Sequence, residues 1–426
     1  METLKILVLS NIEWSDENAF GNTMSNLLGS MPKVDIACLY RRNARPNNNV
    51  CKKYYQISYT SIIKNCFRTK KIGTYFEIDD SMSKSVNNIE EKEGKLIGLI
   101  HRWKLTRLVY RVEDFLFKRK TWENDNFKRF IYEFQPNIVM GFTSALLMDR
   151  LLIESILNLA PACKYVTFIT DDLYGVNKAK KVKETIKKQI LLAHKIYAIT
   201  PGLKEKYEQI YGVKIDILRK GCDLEHEILP KNNQEITITY AGNLLYGRAN
   251  TLERLASAIR KINAQSTGRK FFLKIFSPTI IEGEQKKALS IEGVSEFCGA
   301  RPYEEVKRIL EASDLILHVE SFEPKQQEVV KYSFSTKITD ALQSGGVLFA
   351  IGPKGLSSIE MTRDIPGTIV VNETDEIEQA LRNILIMNLY KEAVKIREYA
   401  KEHYEIKEIR KRLEQDLKDL CNIDIN

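Results

Sequence analysis

The sequence lacks several features that would place it in other protein classes. Its 426 residues contain no run of about 18 uncharged apolar residues, so no membrane-spanning helix is expected. The seven cysteines form no Cys-x-x-Cys pair, which argues against a zinc ribbon or a disulfide scaffold and predicts a reducing, cytoplasmic compartment. The five histidines show no metal-ligand spacing. Neither a low-complexity tract nor a repeat of about 20 to 50 residues is present.

The overall composition of the chain is that of a soluble globular protein. Hydrophobic residues make up 43% of the chain and charged residues 28%, a balance that excludes a disordered chain. The length predicts about two to three domains. The first apolar run, Lys5–Ser10, has no small-residue cleavage site and continues into polar Asn11 and Glu13. It therefore predicts a first strand and not a signal peptide.

Apolar strands alternate with helical stretches along the chain. The predicted strands of the first half are Lys5–Ser10, Val34–Tyr40, Ile138–Gly141, Lys164–Thr170, Lys195–Thr200 and Val213–Leu218, with a helix over Pro201–Tyr211. Those of the second half are Glu235–Ala241, Phe271–Phe276, Val294–Cys298, Leu315–Val319, Val347–Ile351 and Gly367–Val371. Further predicted helices are Thr251–Ile262, Tyr303–Ala312, one from Ser335, Glu376–Ile386 and the charged tail Lys391–Asp419. This alternation is typical of parallel sheets with helices on both faces, formed twice.

A polar stretch divides the two halves. Asp223–Gln234 contains Pro230 and has the composition of a linker. We therefore predict an N-terminal Rossmann-like domain over residues 1–222, a linker over 223–234 and a C-terminal Rossmann-like domain over 235–405. The last helix, 406–426, is expected to pack back on the N-terminal domain.

The segment from Phe334 to Gly346 is the most informative part of the chain. Its sequence, FSTKITDALQSGG, predicts a tight turn followed by a helix. A helix start offers unpaired N–H groups and a partial positive charge, to which Ser335, Thr336 and Lys337 add hydroxyls and a full charge. Asp340, one turn further on, can accept hydrogen bonds from two sugar hydroxyls. The pattern suits a nucleotide sugar, but it equally fits an N-capped surface helix.

Five motifs follow one another along the chain in a particular order and spacing. They are Gly221-Cys222-Asp223, Tyr240–Leu244, Phe297–Arg301, Ala312-Ser313-Asp314 and Ser335–Gly346. Together they resemble the GT-B glycosyltransferases, and most of all the family 4 group of bacterial sugar transferases, over nearly the full length. The resemblance implies an α/β fold of GT-B type, with two Rossmann-like, doubly wound parallel-sheet domains facing a cleft. It also implies a nucleotide-diphosphate sugar as the donor substrate, and no cofactor.

The loop from Gly242 to Arg248 is the first candidate for donor binding. Its glycines let backbone amides approach a phosphate, which the Arg248 guanidinium can grip. In the family a cation of this loop neutralises the leaving diphosphate, and the resemblance implies that role for Arg248 together with Lys337. It also implies that Gly242 and Asn243 contact the donor. Arg301 stands where similar proteins hold the nucleotide base, so the resemblance implies that it lies near the base. A plain glycine turn with a solvated arginine is the alternative.

The chain departs from the family at the Glu-x7-Glu motif. Asp340 stands at the second acid, which binds the ribose hydroxyls in the family, and Tyr332 stands at the first. Glu320, after the strand Leu315–Val319, is the next candidate for binding hydroxyls of the transferred sugar. A surface acid at a strand end is the alternative.

Candidates in the first half are Gly21, Asp171 and Asp172. Ala19–Thr23 follows the first strand and resembles the glycine loop that faces donor phosphate and acceptor, which implies a donor contact for Gly21. A lone glycine in a turn is the alternative. Asp171 and Asp172 end a buried strand, where they can orient an acceptor hydroxyl or act as a base, or else cap the next helix. His194 and His318 are expected to pack at strand ends.

Basic residues are concentrated between His101 and Arg129. Nine lysines and arginines interleave with aromatic and aliphatic residues there. Such a segment can lie on an anionic membrane surface, or pack one apolar face on its own domain. No recognition motif for nucleic acid accompanies the charge. We therefore expect a cytoplasmic protein that does not bind nucleic acid. A peripheral position at the inner face of the membrane stays open as an alternative.

The resemblance implies a glycosyltransferase of the hexosyltransferase type in bacterial surface polysaccharide synthesis. The expected acceptor is a glycan or a lipid-linked molecule, and the resemblance implies retention of the anomeric configuration. No Asp-x-Asp pair lies in a suitable loop, so no metal is expected. Two alternatives stay open. One is a nucleotide-sugar epimerase or hydrolase of the same fold, and the other is a catalytically silent binding homologue.

Overall fold

The structure, a computed structural model, describes residues 3–58, 61–62, 72–78, 115–231 and 234–422. The chain divides into two compact units. Unit 1 consists of Met1–Ile199, Lys204–Leu218 and Arg410–Asn426, and unit 2 consists of Thr200–Leu203 and Arg219–Ile409. In the parts that the structure describes, no helix is long and apolar enough to cross a bilayer.

Unit 1 is built on a mostly parallel sheet. Its strands are β1 (Leu4–Leu9), β2 (Val34–Tyr40), β3 (Lys53–Gln56), β4 (Thr74–Glu77), β5 (Ile138–Phe142), β6 (Lys164–Ile169), β7 (Lys195–Ala198) and β8 (Asp216–Ile217). They lie in the order β4-β3-β2-β1-β5-β6-β7-β8. All neighbours pair in parallel except β4, which pairs antiparallel with β3.

Helices cover the sheet of unit 1. They include α1 (Ala19–Leu28), α2 (Asp125–Phe134), α3 (Leu147–Leu159), α4 (Leu173–Val176), α5 (Lys180–Leu192) and α6 (Pro201–Tyr211), which belongs to unit 1 from Lys204 onward. The hydrophobic core joins Leu7 of β1 and Val139 of β5 to Trp122 and Phe127, all four of which are fully buried. The central strands are apolar on both faces because helices shield both faces from water.

Unit 2 is built on a second, entirely parallel sheet. Its strands are β9 (Glu235–Ala241), β10 (Lys270–Phe276), β11 (Ser295–Gly299), β12 (Leu315–Val319), β13 (Val347–Ile351) and β14 (Ile369–Val371). They lie in the order β11-β10-β9-β12-β13-β14. Every neighbouring pair is parallel, so each crossover carries a helix or a long loop.

The helices of unit 2 follow its strands in alternation. They are α7 (Arg248–Gln265), α8 (Gly283–Leu289), α9 (Tyr303–Ala312), α10 (Pro324–Val330), α11 (Thr336–Ser344), α12 (Ser357–Arg363), α13 (Ile377–Ile386) and α14 (Leu389–His403). The last helix, α15 (Ile406–Cys421), begins in unit 2 and belongs to unit 1 from Arg410 onward. There Arg410 Nε donates to the carbonyl of Asn26 at 2.7 Å, near the end of α1.

The predicted pair of Rossmann-like, parallel-sheet α/β units is confirmed. The strands Val34–Tyr40, Glu235–Ala241, Leu315–Val319 and Val347–Ile351 have the predicted bounds. The predicted strand Val213–Leu218 keeps only its two residues Asp216 and Ile217, and the charged tail forms two helices, α14 and α15. Strands β3 and β4 were not predicted, because four-residue strands that pair with distant partners leave little local periodicity.

The interpretation of Ala19–Thr23 as a loop is wrong. These residues form the first turns of α1, because Asn18 caps the helix by accepting a hydrogen bond from Gly21 N at 2.8 Å. A Cβ atom on Gly21 would lie 2.1 Å from the carbonyl oxygen of Ser15. The absence of a side chain at residue 21 therefore allows close packing of the backbone at Ser15, and the donor contact expected of Gly21 stays a prediction.

Candidate functional site

The candidate site of unit 2 lies where its sheet changes winding direction. β9 and β12 are neighbours, although β10 and β11 come between them in sequence. The chain leaves β9 toward one edge of the sheet and leaves β12 toward the other, so a crevice opens beyond their carboxyl ends. The loop 242–247 follows β9 and Glu320 follows β12. Open parallel sheets bind ligands at such a crevice.

Arg248 and Glu320 form a buried ion pair at this crevice. Arg248 Nη2 lies 2.9 Å from Glu320 Oε1, and Arg248 Nε donates to Oε2 at 3.1 Å. The two side chains are 11% and 3% exposed. Arg248 Nη1 also donates to Asn243 Oδ1 at 2.9 Å. Glu320 is therefore not the surface acid that was considered as its alternative role, and Arg248 is not a solvated arginine.

Two glycines allow other side chains to approach the backbone of this loop closely. Gly247 precedes α7 with a φ of 73°, a left-handed conformation that suits glycine. A Cβ atom there would lie 2.5 Å from Ser321 Oγ. A Cβ atom on Gly242 would lie 2.5 Å from Lys337 Nζ. Residue 242 must therefore be small for the Lys337 ammonium to reach its observed position.

Lys337 is the second cation of the site. It lies in the first turn of α11 and has no hydrogen-bond or ion-pair partner among the described residues. Burial, with a further contribution from the charge of Arg248, lowers the pKa of Lys337 from 10.5 to about 8. Arg248 and Lys337 together carry two positive charges, and Glu320 neutralises only one of them. The arrangement therefore favours an anionic ligand.

His318 adds no charge to the site at neutral pH. Its side chain is buried on β12, with Nε2 3.6 Å from Glu320 Oε1. Burial lowers the pKa of His318 from 6.5 to about 4, in spite of the nearby carboxylate. This fits the expected packing role for His318. His194, the other histidine expected to pack at a strand end, accepts a hydrogen bond from Tyr165 N at 3.1 Å through Nδ1.

The start of α11 has the predicted position. Ser335 is the N-cap residue, but its hydroxyl makes no capping hydrogen bond. Thr336 and Lys337 are the first two helical residues. An N-capped surface helix, the alternative for this segment, would use that hydroxyl to satisfy a backbone N–H. The Ser335 side chain therefore does not cap the first backbone N–H groups of α11.

Asp340 has protein partners that the sequence did not reveal. Lys220 Nζ lies 2.5 Å from Asp340 Oδ1, and the Tyr303 hydroxyl donates to the same oxygen at 3.3 Å. The Lys220 side chain is 5% exposed and that of Asp340 is 19% exposed. A lysine directly before the Gly-Cys-Asp motif was the only available signal. The role of Asp340 as a ribose acceptor stays a prediction.

Arg301 lies in the loop between β11 and α9. Its Nε is 3.1 Å from Glu305 Oε1, and its side chain is 40% exposed. An exposed pair one helical turn apart contributes little to stability. Arg301 is therefore available for a ligand, and its expected place near the nucleotide base stays a prediction.

Asp171 and Asp172 of unit 1 differ in their surroundings. Asp172 is 5% exposed, accepts a hydrogen bond from Gly175 N at 3.0 Å and pairs with Lys206 Nζ at 2.5 Å. It caps α4, the alternative role considered for it, and its carboxylate is engaged by Gly175 N and Lys206 and so is not free to act as a base. Asp171 is exposed at the end of β6 and accepts a hydrogen bond from the Thr170 hydroxyl at 3.3 Å.

A cavity of about 330 Å³ lies beyond the carboxyl ends of β1 and β5 in unit 1. These strands form the switch point of the first sheet. The lining is mostly apolar and includes Phe20, Phe142 and Leu173, with hydroxyls from Ser10 and Thr143. The cavity therefore suits a ligand with an apolar part and a few hydroxyl groups.

We predict that Glu320→Gln destabilises unit 2. The substitution leaves the Arg248 guanidinium buried without its counter-charge, which costs about 3 kcal/mol. Urea unfolding followed by circular dichroism measures the change. Glu378→Gln is the control, because it breaks the exposed pair with Lys261 and should change stability by no more than about 0.5 kcal/mol. Equal stability of Glu320→Gln and the parent would contradict the buried pair.

The fold resembles those of solved glycosyltransferases. A glycosyltransferase from Rickettsia africae ESF-5 matches with a TM-score of 0.61 and 12% identity over 100% of both chains. Anabaena Alr3699/HepE, solved in complex with UDP and glucose, matches with a TM-score of 0.59 and 12% identity over 97% of this chain and 99% of that one. An α,α-trehalose-phosphate synthase (UDP-forming) from Burkholderia vietnamiensis matches with a TM-score of 0.60 and 10% identity over 99% of each chain.

No protein-family model matches the sequence, and no curated protein matches it. At 10–12% identity the structural likeness concerns the fold and not the activity. The specific resemblance to the family 4 group stays a prediction. The chain has the fold of the GT-B glycosyltransferases, with two Rossmann-like units.

Proposed function

We propose that the protein is a glycosyltransferase that moves a sugar from a nucleotide-diphosphate sugar to a hydroxyl of a glycan or lipid-linked acceptor. The observation that carries this proposal is the surplus positive charge of Arg248 and Lys337 over Glu320. Partly buried cations without an anionic partner are costly, and a diphosphate would supply that partner. Hexosyl transfer with retention, in bacterial surface polysaccharide synthesis, belongs to the same proposal and rests on the resemblance alone.

The proposed chemistry follows from the charge that develops in transfer. The bond between the anomeric carbon and the diphosphate breaks, and its electron pair stays on the diphosphate oxygen. Arg248, Lys337 and the first N–H groups of α11 would stabilise that negative charge without reorganising. The acceptor oxygen then bonds to the anomeric carbon and loses its proton. Asp171 is the candidate base, because Asp172 is committed to an ion pair.

Two structural neighbours support UDP sugars as the first donors to test. The Anabaena protein was solved with UDP and glucose, and the Burkholderia protein is described as a UDP-forming synthase. A thermal-shift comparison of UDP, GDP, ADP and CMP identifies the nucleotide, since a ligand that binds only the folded state raises the melting temperature.

The cavity in unit 1 supports an acceptor with an apolar part. Phe20 and Phe142, whose ring centroids lie 5.6 Å apart, form part of an aromatic wall. Such a wall favours the lipid end of a lipid-linked acceptor over a fully polar sugar. Membrane association through the basic segment His101–Arg129 stays a prediction, and residues 101–114 of that segment lie outside the described residues.

We predict that Arg248→Ala and Lys337→Ala each weaken binding of the nucleoside diphosphate. The loss should be about 1.5–3 kcal/mol, because each variant removes charged hydrogen bonds to the diphosphate. Isothermal titration calorimetry measures it. Lys270→Ala is the matched control, because Lys270 begins β10 at the opposite end of the sheet and should leave affinity unchanged.

Unchanged affinity of Arg248→Ala and Lys337→Ala for the nucleoside diphosphate would contradict the proposal. Turnover of the donor at full rate without any acceptor would favour an epimerase or hydrolase instead. A protein that binds the donor but transfers nothing to any tested acceptor would be a silent binding homologue.

We predict that diphosphate affinity falls as the pH rises through about 8. The pKa of Lys337 is lowered to about 8, so the free protein loses this positive charge above that pH. Binding titrations between pH 7 and 9 should show that the affinity declines. Above the pKa the decline should approach about tenfold per pH unit, which is the limit when binding is linked to one proton. Lys337→Arg keeps its charge throughout this range and should bind with little pH dependence. An equal decline in both proteins would assign the titration to another group.

We predict that transfer activity survives an excess of EDTA. The cationic side chains would take the role that a metal has in other transferases, and no three His, Cys, Asp or Glu side chains converge in the described parts of the chain. Radiolabel transfer with and without the chelator is the measurement. Loss of activity that Mg²⁺ or Mn²⁺ restores would show that a metal site takes part.

A further inference from the structure

Lys220, Asp340 and Tyr303 form a polar cluster beside the start of α11. Lys220 Nζ lies 2.5 Å from Asp340 Oδ1 and 3.4 Å from the Tyr303 hydroxyl. The Lys220 ammonium also lies 5.5 Å from the centre of the Tyr303 ring. Burial opposes the charge of Lys220, but Asp340 and the Tyr303 hydroxyl together outweigh it and raise the pKa of the lysine. Lys220 is thus a buried, charged lysine with a defined partner.

The backbone around Lys220 is fixed on two sides. Cys222 N donates to the carbonyl of Tyr404 at 2.6 Å, and the carbonyl of Cys222 accepts a hydrogen bond from Ile406 N at 3.0 Å. Asp223 N donates to Gln343 Oε1 at 3.0 Å, on α11. This segment is therefore tied both to the start of α15 and to the helix that carries Asp340. The backbone that carries Lys220 is consequently fixed relative to α11, and the side chain is held at its end by Asp340 and Tyr303.

Both protein donors reach the same oxygen of Asp340. Lys220 and Tyr303 contact Oδ1, and no described residue donates a hydrogen bond to Oδ2. The Asp340 side chain keeps 19% of its surface exposed. A carboxylate with both oxygens free can accept from two neighbouring hydroxyls of a ribose, but one with Oδ1 engaged offers a single uncommitted oxygen.

We infer that Lys220 is a positioning residue that occupies Oδ1 of Asp340. Oδ2 then accepts one ribose hydroxyl of the nucleotide, and the site distinguishes the 2′ from the 3′ position. This inference rests on the proposed nucleotide-sugar function. It concerns the selectivity of the site and is separate from diphosphate binding by Arg248 and Lys337.

The test compares analogues of one nucleoside diphosphate. The parent compound is whichever of UDP, GDP and ADP gives the largest thermal shift, and its 2′-deoxy and 3′-deoxy analogues are titrated by calorimetry. The wild-type protein should bind one analogue at least about tenfold more weakly than the parent, the effect of losing a hydrogen bond to a charged group. The other analogue should bind within about threefold of the parent.

Variants separate positioning from folding. Lys220→Met and Asp340→Asn should each bring the two analogues within about threefold of one another. Lys220→Arg keeps the ion pair, but its planar fork can engage both carboxylate oxygens, so it should also lose the selectivity while remaining folded. Lys231→Met is the matched control. Lys231 donates to the carbonyls of Glu311 and Ser313 in the same unit, so its loss should lower stability without changing selectivity.

Several results would overturn the inference. Wild-type protein that is equally sensitive to both analogues, or to neither, would show that Asp340 does not read one hydroxyl. Selectivity retained in Lys220→Arg, and in a folded Lys220→Met, would leave Lys220 with a purely structural role. If Lys337→Ala still weakens binding in these cases, the proposed function stands and only this inference fails. If no diphosphate binds the wild type, both fail.

Discussion

The buried ion pair between Arg248 and Glu320 is the interaction on which the candidate site of unit 2 depends. It joins the loop after β9 to the end of β12, the two strands that flank the switch point of the sheet. Because both carboxylate oxygens are engaged, the guanidinium has one orientation, and its remaining group contacts Asn243. A buried pair of this kind adds little net stability but fixes geometry, since breaking it leaves an uncompensated charge.

Two lysines near α11 illustrate how charge balance separates binding from positioning. Lys337 lies close to Arg248 and has no acidic partner among the described residues, and burial lowers its pKa. Lys220 is also buried, but Asp340 neutralises it, and with the Tyr303 hydroxyl Asp340 raises the pKa of the lysine. An anionic ligand would stabilise Lys337, whereas Lys220 already has its counter-charge in the protein. The same residue type therefore suits a ligand contact in one place and a structural support in the other.

Much of the fold and part of the site could be predicted from sequence. Strands such as Glu235–Ala241 and Leu315–Val319 are continuous apolar runs, and the helix start at Ser335–Lys337 is marked by its hydroxyls and lysine. The loop character of Ala19–Thr23 was predicted wrongly, because the capping hydrogen bond from Gly21 to Asn18 depends on chain geometry that a single glycine does not reveal. Lys220 was missed because an isolated lysine is most often a solvated surface residue.

The sequence by itself determined that the chain forms two successive α/β units and that cationic groups follow β9 and begin α11. These are local properties, since they depend on the spacing of apolar residues, glycines and lysines within short segments. Only the tertiary structure decided which charges are neutralised and which remain for a ligand. Glu320 is 72 residues from Arg248, and Lys220 is 120 residues from Asp340, so only folding brings each pair into contact.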